Sequence, residues 1–103
     1  MMKPNYEILQ KWNKFYFYDD FFEVHYKIYF TKKSKVVYYK DITNISDVVN
    51  VVNFVPLYIC NISLAGEKKT FVLSFGTSHK NYVQAVEFIK EERARYILRS
   101  LRV

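Results

Sequence analysis

The stretch Phe22-Glu23-Val24-His25-Tyr26-Lys27-Ile28-Tyr29-Phe30 decides the fold. Phe22, Val24, Tyr26, Ile28 and Phe30 alternate with Glu23, His25 and Lys27, and a period of two is what a strand needs to bury one face and wet the other. Just upstream, Phe15-Tyr16-Phe17-Tyr18 is a dense aromatic run of high strand preference, interrupted by Asp19-Asp20. Downstream, Thr31-Lys32-Lys33-Ser34 reads as a polar turn, after which residues 35–42 return as a further strand. These connections are too short for a parallel crossover, so the strands pair antiparallel.

Further from this centre the signals diverge. Tyr6, Ile8, Leu9 and Trp12 suit one face of a short N-terminal helix over residues 5–14, opened near Pro4 and Asn5. Residues 43–54 admit two readings: a helical turn followed by a strand, or a strand with a bulge. Residues 55–64 alternate again, with Tyr58, Cys60, Ile62 and Leu64 assigned to the core. Ala65 to Lys69 forms a hairpin loop with Gly66 available for positive φ, and residues 70–75 add another strand.

After Gly76 the period becomes helical, with Thr77 or Ser78 as N-cap and neither Gly nor Pro in the rest of the chain. Tyr82, Val83, Val86, Ile89 and Ile97 fall on one stripe. The expected fold is therefore α+β, over residues 1–103 as a single domain. It has a strongly twisted antiparallel sheet or partly open barrel of five to seven strands, sealed by a long C-terminal helix whose end either protrudes or folds back.

Composition narrows the function classes. The chain has 103 residues, 16 basic against 10 acidic, one Cys, two His and two Gly. A single Cys60 allows no internal disulfide, and the Cys/His count leaves no zinc cluster. Gly66 and Gly76 stand alone, so no glycine-rich phosphate loop exists and no cofactor is implied. Asp47, Asn50, Asn53 and Pro56 interrupt the most apolar region, so no membrane span is expected. The opening Met-Met-Lys-Pro lacks the apolar run of a secretory signal, and the unpaired thiol suits a reducing interior, so the expected location is the cytoplasm.

Three segments resemble the bacterial pleckstrin-homology-like domains over roughly residues 15–90. They are Asp20-Phe21-Phe22-Glu23-Val24, Val37-Tyr38-Tyr39-Lys40-Asp41-Ile42-Thr43-Asn44-Ile45, and Phe71-Val72-Leu73-Ser74-Phe75 with a helix after it containing Phe88-Ile89. The resemblance implies a seven-stranded, partly open barrel capped by a helix, acting as a binding or assembly module without catalysis. Lipid-binding members carry a basic first hairpin. Here Asp19-Asp20 is read at that turn, which disfavours a phosphoinositide site while leaving an anionic membrane surface as a candidate partner.

Basic residues gather in two places. Lys32, Lys33 and Lys35 crowd one turn, joined in sequence by Lys27 and Lys40, and Arg95, Arg99 and Arg102 load the end of the helix with Arg93. Such clusters gain affinity for nucleic acid or anionic lipid by releasing counterions, and equally serve as solvated charge at a turn or at a helix C-terminus. Tyr16, Tyr18, Tyr29 and Tyr38 are candidates for stacking on single-stranded bases. Tyr96, Ile97, Leu98 and Leu101 form a candidate self-association surface if the helix end projects, giving a homo-oligomer or a protein partner.

His25, His79, Cys60, Asp19, Asp20 and Asp41 are the chemically capable side chains, but nothing in their spacing brings a nucleophile to a base. The expectation is a non-enzymatic binding or assembly module, without a small-molecule substrate, acting on a protein or a membrane. The alternative is a basic nucleic-acid-binding protein using Lys32, Lys33, Lys35 and the arginine-rich helix.

Overall fold

The alternation around Val24 is realised as a strand in the computed structural model, which describes residues 3–102. Met1, Met2 and Val103 lie outside the described residues, and with them part of the N-terminal reading. The elements are β1 (Tyr6–Leu9), β2 (Lys14–Phe17), β3 (Phe21–Ile28), β4 (Thr31–Tyr38), a 3-10 turn (Tyr39–Asp41), β5 (Ile42–Val52), β6 (Val55–Leu64), β7 (Phe71–Ser74) and α1 (His79–Ser100). The fold is α+β, with antiparallel strands in a four-stranded sheet β1-β2-β3-β4 and a three-stranded sheet β5-β6-β7. The chain divides into two compact units. One runs up to Lys40 and resumes at Phe88; the other is Asp41–Glu87.

In the first unit, strand alternation turns Ile8, Phe15, Phe17, Phe22, Val24 and Val37 inward, all of them buried. Phe17 packs on Phe15 and Phe22, and Phe88 closes over it with ring centroids 4.5 Å apart. Tyr6 stacks on the same Phe88 at 4.4 Å. The end of α1 returns to this unit. Tyr96 lies 5.9 Å from buried Tyr39, and Arg99 donates to the Asp19 carbonyl at 2.6 Å. The last turns of α1 thus contact this unit at Tyr96 and Arg99.

The second unit buries Ile42, Cys60, Ile62, Leu64, Leu73, Phe75, Ala85 and Val86, so the parity assigned to residues 58–64 holds. Ser78 caps α1, its Oγ accepting the Asn81 backbone N–H at 3.2 Å. Tyr82 packs its ring on Tyr58 and Phe75 and donates its hydroxyl to Asp47.

Three local expectations are corrected, and the open choice at residues 43–54 falls to the strand with a bulge. The N-terminal helix is instead β1: Ile8 points inward while Glu7 and Leu9 point out, and the Asn5 N–H bonds the Phe17 carbonyl at 2.7 Å. Pairing with β2 satisfies every second backbone group of this short segment, where a helix of that length is marginal by itself. The polar stretch Thr31–Ser34 is strand, and the reversal falls on Tyr29-Phe30. Residues 43–54 resolve as strand β5, with a register shift between Ile42 and Asn44, and then a two-residue turn at Asn53-Phe54. The buried helical stripe is Ala85, Val86 and Ile89 with Tyr82 and Tyr96 half-buried, so Val83 and Ile97 lie on its exposed flanks.

Both two-residue hairpins place bulky residues at positive φ: Tyr29 (48°) and Phe30 (66°), Asn53 (50°) and Phe54 (65°). Positive φ at both central positions marks the type I′ turn, which matches strand twist and normally selects Asn-Gly. An aromatic L residue there costs about 1–2 kcal/mol through its Cβ.

Candidate anion-binding site at the end of the four-stranded sheet

Antiparallel neighbours alternate ends, so the β1–β2 and β3–β4 turns share one end of the sheet and the Asp19-Asp20 turn between β2 and β3 lies at the other. At the shared end the chain builds a concavity of about 280 Å³ lined by Lys11, Trp12, Lys14, Tyr16, His25, Tyr26, Lys27, Lys32 and Lys33. Five of these nine are lysines and none is acidic, which makes the local potential strongly positive.

Each lining residue is placed by a simple rule. The β1–β2 turn closes with the Gln10 N–H on the Asn13 carbonyl at 2.9 Å, which buries Gln10 and Asn13 and leaves Lys11 and Trp12 outside. Lys11 Nζ sits 5.1 Å from the Trp12 ring centroid, within cation–π range. Because Phe15, Phe22 and Val24 face the core, Lys14, Tyr16, His25 and Lys27 must face outward. Lys14 stands opposite His25, and Lys27 stands directly opposite Lys32. Tyr26 faces Lys33 on the other parity, past the last buried residue of that row, where the sheet end is open to solvent.

His25 holds Glu23 at 2.6 Å and meets the edge of the Tyr16 ring at 5.2 Å. The Glu23 carboxylate, opposite Tyr16 and held by His25, therefore lies at the border of the concavity without lining it. Opposed lysines destabilise a ladder, since cross-strand positions lie about 5 Å apart. A chain that keeps such a pair beside three further lysines has a surface able to take an anionic group, each cation adding an ionic hydrogen-bond donor.

The structure divides the basic set expected from sequence. Lys32 and Lys33 join the concavity, while Lys35 lies half-buried opposite Val24 on the core-side parity and does not line it. Arg95 pairs with Glu92 at 3.3 Å, Arg99 is spent on the Asp19 carbonyl, and Arg102 is exposed just past α1. Arg99 thus works at the Asp19 end of β3, about 20 Å of strand away from Lys27 and Lys32. The acidic turn is likewise at the far end, so the repulsion expected of it does not reach the lysines. The first hairpin of the chain, β1–β2, carries Lys11 and Lys14, and Asp19-Asp20 lies in the turn after it.

Of the candidate self-association residues, Tyr96 is half-buried against Tyr39, while Ile97, Leu98 and Leu101 are exposed. The remaining chemically capable groups are dispersed. His79 packs on Tyr58, Cys60 is buried in the second core, and Asp19 accepts from Asn5 at 2.6 Å. Among the described residues no group of three or more His, Cys, Asp and Glu is arranged to hold a metal ion. No helix among them is long and apolar enough to cross a membrane.

Sequence reasoning misses Lys11, Trp12 and Lys14 at this site because it reads them as helix. Tyr6–Leu9 is too short for its pattern to choose strand over helix, and only its pairing with β2 puts their turn beside the β3–β4 tip. No family model, curated protein or solved structure matches this chain.

Proposed function

We propose that the protein is a non-enzymatic binding module of the cytoplasm, similar in build to the pleckstrin-homology-like domains, that docks on an anionic membrane surface. The end of the sheet formed by the β1–β2 turn and the β3–β4 hairpin is the docking surface. The observation that carries this reading is the set of five lysines around one concavity whose lining contains no acid. Basic clusters gain about 1 kcal/mol per Lys near an anionic leaflet, within a Debye length of the surface. Five together suffice for reversible attachment at physiological salt.

Co-sedimentation with vesicles of phosphatidylcholine, with and without phosphatidylserine, tests this. Binding is expected only with the anionic lipid, weakening as salt rises, and Lys27→Ala/Lys32→Ala/Lys33→Ala removes most of it. Absence of binding at low salt overturns the reading.

One specific observation favours a second reading. Trp12, Tyr16 and Tyr26 line the same concavity as the lysines, the combination with which proteins stack and neutralise single-stranded nucleic acid. A single-stranded oligonucleotide that binds in a salt-dependent manner, where vesicles do not, decides for that alternative.

A further inference from the structure

From the tip of the β3–β4 hairpin we infer that Tyr29 and Phe30 form a wedge that enters the apolar layer of an anionic bilayer. The inference rests on the membrane reading above and adds the depth and the residues of insertion.

Three observations converge on this tip. Ile28, Tyr29 and Phe30 are consecutive, and their exposures are 44%, 93% and 100%. The last ladder pair is Ile28 with Thr31, so both aromatic side chains stand beyond the final rung. Immediately behind them Lys27, Lys32 and Lys33 form a basic collar on both strands of the hairpin.

The order along the hairpin axis is apolar tip, then Lys27, Lys32 and Lys33, then His25 with Lys14 opposite it, then Tyr16 with Glu23. That sequence of layers matches an anionic membrane read from its hydrocarbon edge outward: a phenylalanine in the acyl region, a tyrosine at the interface, lysines among the phosphates. Nucleic-acid stacking explains the tip less well, because Ile28 has no π-face and the two rings stand beyond the last ladder pair.

Backbone conformation points the same way independently. Positions 29 and 30 have φ of 48° and 66°, the region that Asn and Gly occupy with least cost. Fully exposed aromatics there gain nothing from the fold and oppose its local geometry. A residue pair that disfavours its own turn and touches no core finds its use in a contact outside the chain, and at this tip the basic collar behind it points to an anionic surface.

The variant Tyr29→Asn/Phe30→Gly separates insertion from folding and from surface adsorption. It supplies the preferred turn, so its thermal midpoint is expected at or above that of the unaltered chain. Its affinity for phosphatidylserine vesicles is expected to fall about tenfold or more, since burying a phenylalanine ring is worth over one decade in a partition constant. On a phosphatidylserine monolayer the unaltered chain raises the surface pressure and the variant does not.

If the unaltered chain binds anionic vesicles but the variant matches it in affinity and surface pressure, the wedge is overturned and the basic docking surface stands. If the unaltered chain binds no vesicle, both fail. If it binds only a single-stranded oligonucleotide, the aromatic and basic end belongs to that ligand and both are likewise overturned.

Discussion

Lys27 and Lys32 face one another directly across the β3–β4 ladder, like charges in register on the solvent side of the sheet. Replacing one by an acid converts repulsion into a cross-strand ion pair. Lys27→Glu is therefore expected to stabilise the fold by about 0.2–1 kcal/mol while lowering affinity for anionic vesicles. Denaturant melts and vesicle sedimentation on the same preparation check both; a variant that loses stability contradicts repulsion at this pair.

Phe54 occupies the corresponding position in the second hairpin, 99% exposed with φ of 65°. Phe54→Gly completes an Asn-Gly turn and is expected to raise unfolding free energy by about 1 kcal/mol. Urea titration measures it, with an unchanged slope showing that two-state behaviour is kept.

Phe17 is fully buried and touches Phe15, Phe22 and Phe88. Phe17→Ala removes the ring around which sheet and helix meet in the first unit, and a cost of about 3–5 kcal/mol is expected. For a chain of this size that is a large part of the total. Loss of the cooperative melt is the expected result; a shift of only a few degrees would contradict the central place of this ring.

Two phenols make the fold sensitive to alkali. Burial pushes Tyr82 up to about 12, with the Asp47 carboxylate that accepts its hydrogen bond adding to the effect. Burial raises Tyr39 further, with Glu92 contributing and Arg99 opposing. Both folded values lie above the unfolded one, so their stabilisation is complete below about pH 10 and is lost as pH rises through the folded values. Thermal melts from pH 8 upward are expected to hold level and then decline, and Tyr82→Phe is expected to flatten that decline.

Much of this architecture is legible in the chain because its strands alternate cleanly. Parity alone assigns Val24, Cys60 and Ile62 to the core, and Ser78 announces the helix by its cap. The misreadings have one physical source. Tyr6–Leu9 and the Tyr29-Phe30 reversal are set by tertiary pairing, not by local preference: four residues carry too little period to choose between helix and strand. A turn that places aromatics at positive φ also contradicts its own composition. The site is hidden for the same reason, since Lys11, Trp12 and Lys14 join Lys32 and Lys33 only when the register brings two distant turns to one end. Lys35 groups with its neighbours by spacing alone, whereas strand parity turns it toward Val24.

Trp12, the sole tryptophan of the chain, stands at the mouth of the lysine-lined concavity with 58% of its surface exposed. Its indole emission reports on that one place. Any occupant that dries, quenches or stacks upon the ring shifts the fluorescence of the unlabelled protein, so the molecule carries its own optical gauge of occupancy.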